Sequence, residues 1–197
     1  TRLPDGGYRL DGAKQFITNA GFADLFTLYA KLEDGGIAAF LVERDSPGLT
    51  VGAEEHKMGI KGSSTCPVVL DGVVVPGDAL LGVPGEGHKI AFNILNVGRF
   101  KLGAMVTGGT KLTVGVAAAY GNSRTAFGQP ITSFGLIKHK IGQMAILTYV
   151  SESMVYRTAG MIDRNLADVG ANDPETALRR IEEDDAECSM IKGWCSE

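Results

Sequence analysis

The sequence contains few cysteines and no cluster of basic residues, and each shortage excludes a class of protein. The three cysteines among 197 residues, Cys66, Cys188 and Cys195, favour a reducing compartment over a disulfide framework. A net charge of -4 without a lysine and arginine cluster argues against a nucleic-acid partner. No apolar run reaches the length of a membrane span and no signal peptide opens the chain, so we expect no transmembrane segment. The remaining composition, 44% hydrophobic and 21% charged, is ordinary for a soluble globular protein.

Several common catalytic motifs are also missing. The sequence has no P-loop, no Cys-x-x-Cys pair and no Gly-x-Ser-x-Gly. Its histidines, His56, His88 and His139, lack the spacing of metal ligands, so we expect no metal site. Gly85-Glu-Gly87 does not complete a Gly-x-Gly-x-x-Gly fingerprint and lacks the strand, turn and helix context of a dinucleotide fold. This argues against a nicotinamide cofactor.

The first part of the sequence has the pattern of β structure. Short runs rich in β-branched and aromatic residues alternate with turn signals. Asp71-Gly72 separates the last two runs and predicts a hairpin between them. Several strands at this spacing predict a sandwich or a small barrel. The predicted strands are Tyr8–Ala13, Leu25–Leu32, Ile37–Glu43, Thr65–Leu70 and Val73–Val75.

From about Gly85 the pattern changes to that of long helices. The segment His88–Tyr120 has few charged breaks, which favours a helix, although each internal glycine costs a helix about 1 kcal/mol relative to alanine. We expect these glycines to allow close contact with another backbone. They are Gly98, Gly103, Gly108, Gly109 and Gly115.

Two further helices are predicted downstream. An apolar stripe from Ile137 to Ile162 predicts the second, with Lys138, Lys140, Glu152 and Arg157 largely off it. Asn172-Asp173-Pro174-Glu175 is typical of a helix start and predicts the third. On that helix the charges from Glu182 to Asp185 are predicted to form a solvated side. The residues predicted to share its apolar face are Ile181, Cys188, Ile191 and Cys195.

These patterns predict a multi-domain protein of mixed α and β structure. An antiparallel β-sandwich or barrel domain at 1–84 precedes an antiparallel helical bundle at 85–197 with at least three long helices. The chain begins with Thr1 rather than methionine and stops at Glu197 inside a predicted helix. We therefore expect it to be a fragment whose bundle is incomplete.

Three clusters are candidates for ligand binding. Because positions i and i+2 of a strand face the same side, Phe16 and Thr18 can present a flat apolar surface and a hydroxyl to one planar ligand such as a flavin. The alternative is that both are ordinary strand residues packed in the core.

The second cluster is the loop from Asn122 to Pro130. Arg124 could bind a pyrophosphate and Phe127 could contact an adenine or flavin edge, or the loop is ordinary and Phe127 is a hydrophobic plug. In the third cluster Arg99 is the only charge between Lys89 and Lys101. It either pairs within the protein or meets an anionic ligand.

Taken in order, these clusters resemble the acyl-CoA dehydrogenase family. Lys14-Gln-Phe-Ile-Thr-Asn resembles the family's flavin strand, and Met58-Gly59 to Thr65 with Val73-Val-Val-Pro76 resembles its middle-domain signature. Gly85-Glu-Gly-His-Lys is similar to the start of its C-terminal domain, and Arg124-Thr-Ala-Phe-Gly128 to its Arg-x-x-Phe-Gly loop. The wording Ile94-Leu-Asn-Val-Gly-Arg-Phe100 and Phe134-Gly-Leu-Ile137 is closest to the very-long-chain branch.

The resemblance implies an FAD site. Phe16, Ile17 and Thr18 occupy its flavin-binding positions, with Phe16 where most members have tryptophan and the Thr18 hydroxyl near flavin N5. Arg124 and Phe127 correspond to residues that reach the FAD of a neighbouring subunit, which implies a homodimer or homotetramer.

The resemblance also implies a substrate site. Arg99 and Asn96 occupy substrate-binding positions. The carboxylate base of most members lies beyond Glu197, and Gly98 occupies the position that supplies it in a minority. We therefore expect no catalytic base within this chain, and the family's N-terminal helical domain is expected to be absent.

The implied activity is oxidation of fatty acyl-CoA thioesters to trans-2-enoyl-CoA in β-oxidation, with electrons passing to an electron-transfer flavoprotein. The implied location is a bacterial cytoplasm or the mitochondrial matrix. The alternatives are an acyl-CoA oxidase or flavin monooxygenase on the same fold, and a non-catalytic assembly protein.

Overall fold

The computed structural model describes residues 1–170 and 172–196 and divides into two compact units. Unit 1 comprises Thr1–Ala91 and unit 2 comprises Phe92–Glu197. The strands are β1 (Tyr8–Thr18), β2 (Leu25–Lys31), β3 (Ile37–Glu43), β4 (Leu49–Val51), β5 (Thr65–Val75), β6 (Leu80–Leu81), β7 (Thr125–Ala126) and β8 (Gln129–Pro130). The helices are α1 (Gly87–Ser123), α2 (Gly135–Leu166), α3 (Pro174–Glu182) and α4 (Asp185–Ser196). The domain boundary between 84 and 85 stays a prediction.

Unit 1 is a sandwich of two antiparallel sheets. One sheet has the order β1-β5-β4 and the other β2-β3-β6. Alternate residues of these strands are buried, as the period of two requires when one face of each sheet meets the core. The ring of Tyr8 on β1 meets that of Phe40 on β3 edge to face, with centroids 5.0 Å apart. This confirms the predicted β-sandwich.

The hairpin predicted at Asp71-Gly72 is wrong, because β5 continues through these residues and pairs with β1 on both sides of them. Asp71 and Gly72 together stand opposite Asp11, which is the two-to-one pairing of a β-bulge. Gly72 has a φ of 66°, and its N–H donates to Asp11 Oδ1 at 2.9 Å. The same two residues that favour a hairpin also suit a bulge, and the long-range ladder with β1 selects the bulge.

Unit 2 is built from helices whose predicted faces are observed. The stripe from Ile137 to Ile162 is half-buried or buried along α2, and Lys138, Lys140 and Arg157 are exposed. Trp194 Nε1 of α4 donates to Ser151 Oγ of α2 at 3.1 Å, and Lys111 of α1 pairs with Glu152 of α2. These contacts confirm the helical bundle.

The glycines of α1 differ in their surroundings. A Cβ added at Gly103 would lie 2.0 Å from Ile191 Cγ2 of α4, so a side chain here has no room. Gly98, Gly108, Gly109 and Gly115 have nothing in such contact within the described residues. The predicted close contact with another backbone is therefore wrong for all five glycines within the described residues, and the close neighbour of Gly103 is a side chain instead.

The single third helix predicted after Asp173 is two helices. The Asp173 side chain accepts from Thr176 N and caps α3, as predicted. The chain then leaves the helix after Glu182, and α4 begins at Asp185. Asp184, in the break, is only 1% exposed, so the prediction that Glu182 to Asp185 form a solvated side is wrong for this residue. The predicted helix through Glu197 concerns a residue outside the described part.

The expectation that no apolar run reaches membrane-span length is wrong, because one helix is long enough and apolar enough to cross a membrane. Helix α1 has 37 residues and contains a window apolar enough to cross a bilayer. One such helix within the described residues is weak evidence for a span, because core helices of soluble proteins pass the same test. The absence of a transmembrane segment therefore stays a prediction.

Replacing Gly103 by alanine is expected to lower the free energy of unfolding by about 1–3 kcal/mol, because its Cβ collides with the buried, β-branched Ile191. The matched control is Gly108→Ala on the same helix, which should gain up to about 1 kcal/mol from helix propensity alone. Urea denaturation of both variants checks this. Equal shifts for the two variants would contradict the close packing of α1 against α4.

Candidate functional site

The candidate flavin strand, β1, is irregular between Lys14 and Ile17. Lys14 pairs with Val68 and Ile17 with Cys66, so Gln15 and Phe16 together stand opposite Pro67 in a second bulge. Phe16 has a φ of 58°, which is left-handed backbone that an aromatic residue rarely adopts. The simple alternation from which Phe16 and Thr18 were predicted to share a face is therefore interrupted.

The three residues after the start of this bulge lie in different environments. Phe16 is 67% exposed, so the alternative that it is an ordinary core residue is wrong. Ile17 is half-buried and packs against the core of the sandwich. Thr18 is exposed and pairs with Thr65 at the end of the ladder. An exposed ring and an exposed hydroxyl at one strand end suit a planar ligand with a hydrogen-bonding edge, and Ile17 anchors them from beneath.

The turn that follows Thr18 is held by an arginine that sequence reasoning missed. Arg44 lies directly after β3, and its guanidinium donates to the carbonyls of Ala20, Ala23 and Gly21 at 2.8, 2.9 and 2.9 Å. A planar guanidinium can serve several acceptors at once, which an ammonium on a flexible stem does less well. No local motif marks Arg44, because its acceptors lie more than twenty residues earlier in the chain.

A second brace joins this turn to the segment before β5. Gly21 N donates to Ser64 Oγ at 3.0 Å, and Ser64 Oγ donates to Glu54 Oε1 at 2.6 Å. Glu54 also accepts from Thr65 N at 2.8 Å. The Ser64 hydroxyl and the Thr65 amide hold the pKa of Glu54 below its ordinary value. The end of the candidate flavin strand is therefore fixed from both sides.

A cleft of about 420 Å³ opens beside this turn and is lined by residues of both charges. Glu54 and Lys57, on its wall, already have partners within the protein: Lys57 Nζ donates to Thr65 Oγ1 at 2.9 Å and to the Ser63 carbonyl. We assign no ligand to this cleft. Its lining is Phe22, Glu54, Glu55, His56, Lys57, Lys61, Gly62, Ser63 and Ser64.

The Arg124 loop of unit 2 is a short hairpin. Ala126 pairs with Gln129, so Phe127 and Gly128 form a two-residue turn with φ values of 54° and 81°. Positive φ at both positions is what a type I′ turn requires, and an aromatic residue there is strained. Phe127 is 95% exposed and touches Phe134 edge to face, so it is not a hydrophobic plug. Arg124, at the base of the hairpin, is also exposed.

Arg99 has protein partners. Its Nη1 donates to Asn96 Oδ1 at 2.7 Å and to Asp185 Oδ1 at 3.1 Å. Asn96 is 2% exposed, whereas the Arg99 side chain is 36% exposed. The structure thus brings the two predicted substrate-binding residues together on α1, and the first of the two interpretations of Arg99, pairing within the protein, is observed. Binding of an anionic ligand stays a prediction.

Beside this pair lies a buried acid. Asp184 Oδ2 accepts from Asn165 Nδ2 of α2 at 3.0 Å, and the Asp184 carbonyl accepts from Cys188 N at the start of α4. Burial raises the pKa of Asp184 above its ordinary value, against the lowering effect of the Asn165 bond. Burial also raises the pKa of the neighbouring Cys188 thiol. We interpret Asp184 as structural, because its carboxylate accepts from Asn165 of α2 and its carbonyl accepts the first backbone hydrogen bond of α4.

Metal binding finds no support in the described residues, which contain no group of three or more histidine, cysteine or acidic side chains placed to hold an ion. The exposed candidate groups are the ring of Phe16 and the hydroxyl of Thr18 in unit 1, and the guanidinium of Arg124 in unit 2. The ring and hydroxyl of unit 1 suit a planar ligand with a hydrogen-bonding edge, and the guanidinium of unit 2 suits a phosphate.

Comparison with known proteins places both parts of the chain in one group. Residues 1–73 match the family described as "Acyl-CoA dehydrogenase, middle domain", and residues 85–197 match "Acyl-CoA dehydrogenase, C-terminal domain". A "Probable acyl-CoA dehydrogenase" of Bacillus subtilis is 47% identical over 193 residues, which is 96% of this chain and 32% of the relative. The rat "Very long-chain specific acyl-CoA dehydrogenase, mitochondrial" is 41% identical over 94% of this chain and 30% of its own length.

A solved structure shares the fold. The acyl-CoA dehydrogenase from Bacillus anthracis, described as complexed with FAD, superposes with a TM-score of 0.89 at 44% identity. The match covers 96% of this chain and 33% of that one. The chain thus spans about a third of the length of the relatives that it matches.

Replacing Arg44 by alanine is expected to lower the free energy of unfolding by about 1–3 kcal/mol, because three turn carbonyls lose their donor. Lysine at this position should recover only part of the loss. Amide hydrogen exchange at Phe22 and Ala23, which donate to Asn19, should accelerate. Arg9→Ala, which removes an exposed arginine paired with Asp11, is the control and should change neither quantity measurably. Unchanged exchange of the Phe22 and Ala23 amides in Arg44→Ala would contradict the claim that Arg44 holds this turn.

Asp184 is expected to make stability fall as the pH rises. A carboxyl whose pKa is raised in the folded state binds its proton more tightly there than in the unfolded chain. The free energy of unfolding therefore decreases from the ordinary aspartate pKa up to the folded-state pKa, and the loss is complete above that value. Asp184→Asn, which cannot titrate and can still accept from Asn165, should remove this slope and be at least as stable at neutral pH.

Urea denaturation at a series of pH values from about 4 to about 7 measures that slope. Glu175→Gln removes an exposed charge from the first turn of α3 that is not among the groups raising the Asp184 pKa, and should keep the wild-type slope. An Asp184→Asn variant that retains the full slope would contradict the assignment to Asp184.

Proposed function

The chain belongs to the acyl-CoA dehydrogenase family, and we propose that the protein carrying it is an FAD-dependent enzyme that oxidises fatty acyl-CoA thioesters to trans-2-enoyl-CoA. This is a step of fatty-acid β-oxidation, and we propose that medium to very long acyl chains are its substrates. Electrons would pass to an electron-transfer flavoprotein. A bacterial cytoplasm or the mitochondrial matrix is the location consistent with its relatives.

The observation that carries this proposal is the conformation of Phe16. An exposed aromatic residue in left-handed backbone costs of the order of 1–3 kcal/mol, and such strain persists where the surrounding structure imposes it, often at functional sites. The bulge opposite Pro67 imposes the left-handed backbone of Phe16. Phe16 lies two residues before Thr18, whose side chain is exposed. By the resemblance in sequence, we assign Phe16 and Thr18 to the flavin-binding positions of the family.

In this proposal FAD, when bound, supplies the hydride acceptor for oxidation at the acyl β-carbon. Phe16 would hold the isoalloxazine by packing against it, and the Thr18 hydroxyl would donate a hydrogen bond to its N5 edge. Ile17 holds these two residues to the core of unit 1. The braced turn after Thr18 limits how far the strand end can move.

We further propose that Arg124 and Phe127 act on the FAD of a neighbouring subunit in a homodimer or homotetramer. Their position supports this, because the type I′ hairpin projects an exposed aromatic residue beside an exposed arginine. A guanidinium binds pyrophosphate through charge-assisted hydrogen bonds. We expect the exposed Arg124 guanidinium to bind a pyrophosphate of the neighbouring subunit's FAD more strongly than it binds water.

Arg99 and Asn96 are proposed to contact the acyl-CoA. The reaction also needs a carboxylate base, and no residue described in this chain is assigned to that role. Asp184 is not that base in our proposal, because it is buried and its carboxylate already accepts from Asn165. We propose that the base lies outside these 197 residues.

The test is the visible spectrum of the full-length protein during anaerobic addition of palmitoyl-CoA. We expect a bound flavin whose main absorption band bleaches as the substrate is oxidised. A flavin band that does not bleach would contradict the substrate class. Absence of flavin would contradict the cofactor and favour a non-catalytic assembly protein. Oxygen consumption matching turnover in air would favour the oxidase or monooxygenase alternatives.

Arg124→Ala separates an enzyme from a scaffold by its effect on the cofactor. It should weaken FAD binding about tenfold or more, because a hydrogen bond to a charged group is lost. Arg157→Ala, which removes an exposed arginine from α2, is the matched control and should retain FAD. Equal FAD affinity of both variants would contradict the proposed role of the hairpin.

A further inference from the structure

The break between α3 and α4 places two adjacent aspartates in different environments. Asp184 is buried and bonds Asn165 of α2, whereas the Asp185 side chain is 54% exposed and bonds Arg99 of α1. The buried bond fixes the start of α4 against α2. The carboxylate of Asp185 therefore has a defined position from which to hold Arg99.

The Asp185 carboxylate is itself oriented on its own helix. Its Oδ1 accepts from Arg99 Nη1 at 3.1 Å and from Ser189 Oγ, one turn later on α4, at 3.4 Å. As an acid in the first turn, Asp185 also suits the positive end of the helix dipole. A polar chain thus runs from Ser189 through Asp185 and Arg99 to the buried Asn96.

These hydrogen bonds use Nη1 of the Arg99 guanidinium and leave its other nitrogens available to a ligand. Nη1 carries two hydrogens and has two acceptors, Asn96 Oδ1 and Asp185 Oδ1. Within the described residues no hydrogen bond engages Nη2 or Nε. The positive charge is offset by Asp185, so the remaining donors gain little from a second anion.

We propose that Asp185 is a positioning residue for Arg99, which it holds and neutralises so that Arg99 binds a neutral carbonyl oxygen of the acyl-CoA rather than a phosphate. This rests on the proposed function, because it assumes that acyl-CoA reaches Arg99. The pair of Arg99 and Asp185 then binds the ligand through a correctly oriented hydrogen-bond donor and not through a net positive charge. Loss of the carboxylate charge turns Arg99 into an uncompensated cation that attracts the phosphates of the ligand.

The experiment measures the affinity of the full-length flavin-loaded protein for a 3-thiaacyl-CoA, in which sulfur replaces the β-carbon and prevents dehydrogenation. Calorimetric titrations at about 50 and about 500 mM salt give the salt dependence, since screening weakens attraction between exposed charges. Asp185→Asn keeps an oxygen acceptor and removes the charge. Asp185→Ala removes both. Glu183→Gln removes an exposed charge two positions away that pairs with Arg180, and is the control.

We expect the Kd of Asp185→Asn to rise at least about threefold more than that of wild type between the two salt concentrations. Asp185→Ala should in addition lower kcat/KM for octanoyl-CoA by about threefold to tenfold, and Asp185→Glu should restore part of it. Glu183→Gln should match wild type in both measurements. Melting temperatures of all variants show whether the fold is retained.

Two results overturn the inference. If Asp185→Asn and Glu183→Gln have the same salt dependence as wild type while wild type binds the ligand, Asp185 does not neutralise Arg99 for ligand binding. If Asp185→Ala only lowers the melting temperature and leaves kcat/KM unchanged, its role is structural. Failure of the wild-type protein to bind any acyl-CoA would instead overturn the proposed function, and this inference with it.

Discussion

The antiparallel ladder between β1 and β5 fixes every residue that we place on the flavin side of unit 1. It pairs Tyr8 with Val75 at one end and Thr18 with Thr65 at the other, and it survives two bulges on the way. Because the ladder resumes after each bulge, the local strain is held by regular pairing on both sides. Phe16 is left-handed and exposed for this reason, with the buried Cys66 and Val68 of β5 beneath the strand.

The proline of β5 contributes a second constraint. Pro67 lies between positions that pair with β1, and its carbonyl accepts from Gly52 at 2.9 Å. It has no N–H to return that bond, so regular pairing with β4 stops at Val51, opposite Val68. The chain then leaves as the segment that carries Glu54 and returns to Ser64, and these two residues brace the turn after Thr18. One missing donor thus shapes the loop that supports the strand end.

In unit 2 the comparable constraint is the α3–α4 break. Two aspartates of identical chemistry have different roles, because one is covered and the other is not. The buried Asp184 holds α4 to α2, and the exposed Asp185 holds the Arg99 guanidinium of α1. Gly103 permits α1 and α4 to meet one turn further along. The position of Arg99 therefore depends on the packing of three helices.

Much of the fold could be predicted from local pattern, and the failures share one physical cause. The strand Ile37–Glu43 is an apolar run bounded by turn signals and the cap at Asp173 is a local side-chain bond, so the sequence identifies both. Asp71-Gly72 suits a hairpin and a bulge equally, and only the distant strand β1 decides between them. The break after Glu182 has no glycine or proline to mark it, and burial of Asp184 depends on Asn165, nineteen residues away.

The sequence indicates which residues belong to the candidate site, but it does not indicate their backbone conformation or their supporting contacts. The motif around Phe16 and Thr18 marks the strand, whereas the left-handed backbone at Phe16 follows from the mismatch with β5. Arg44 and Asp185 were missed as supports because their partners lie far away in sequence. Residues that support a strand end or a side chain through tertiary contacts leave no local pattern, whereas the residues that we propose as ligand contacts belong to a motif.

The most direct test of this account is a crystal structure of the full-length protein with FAD bound. We predict that the isoalloxazine lies within about 4 Å of the Phe16 ring and of the Thr18 hydroxyl, with Phe16 still in left-handed backbone. A flavin bound elsewhere, with the Phe16 ring left in solvent, would contradict the claim that the bulge of β1 forms the flavin site.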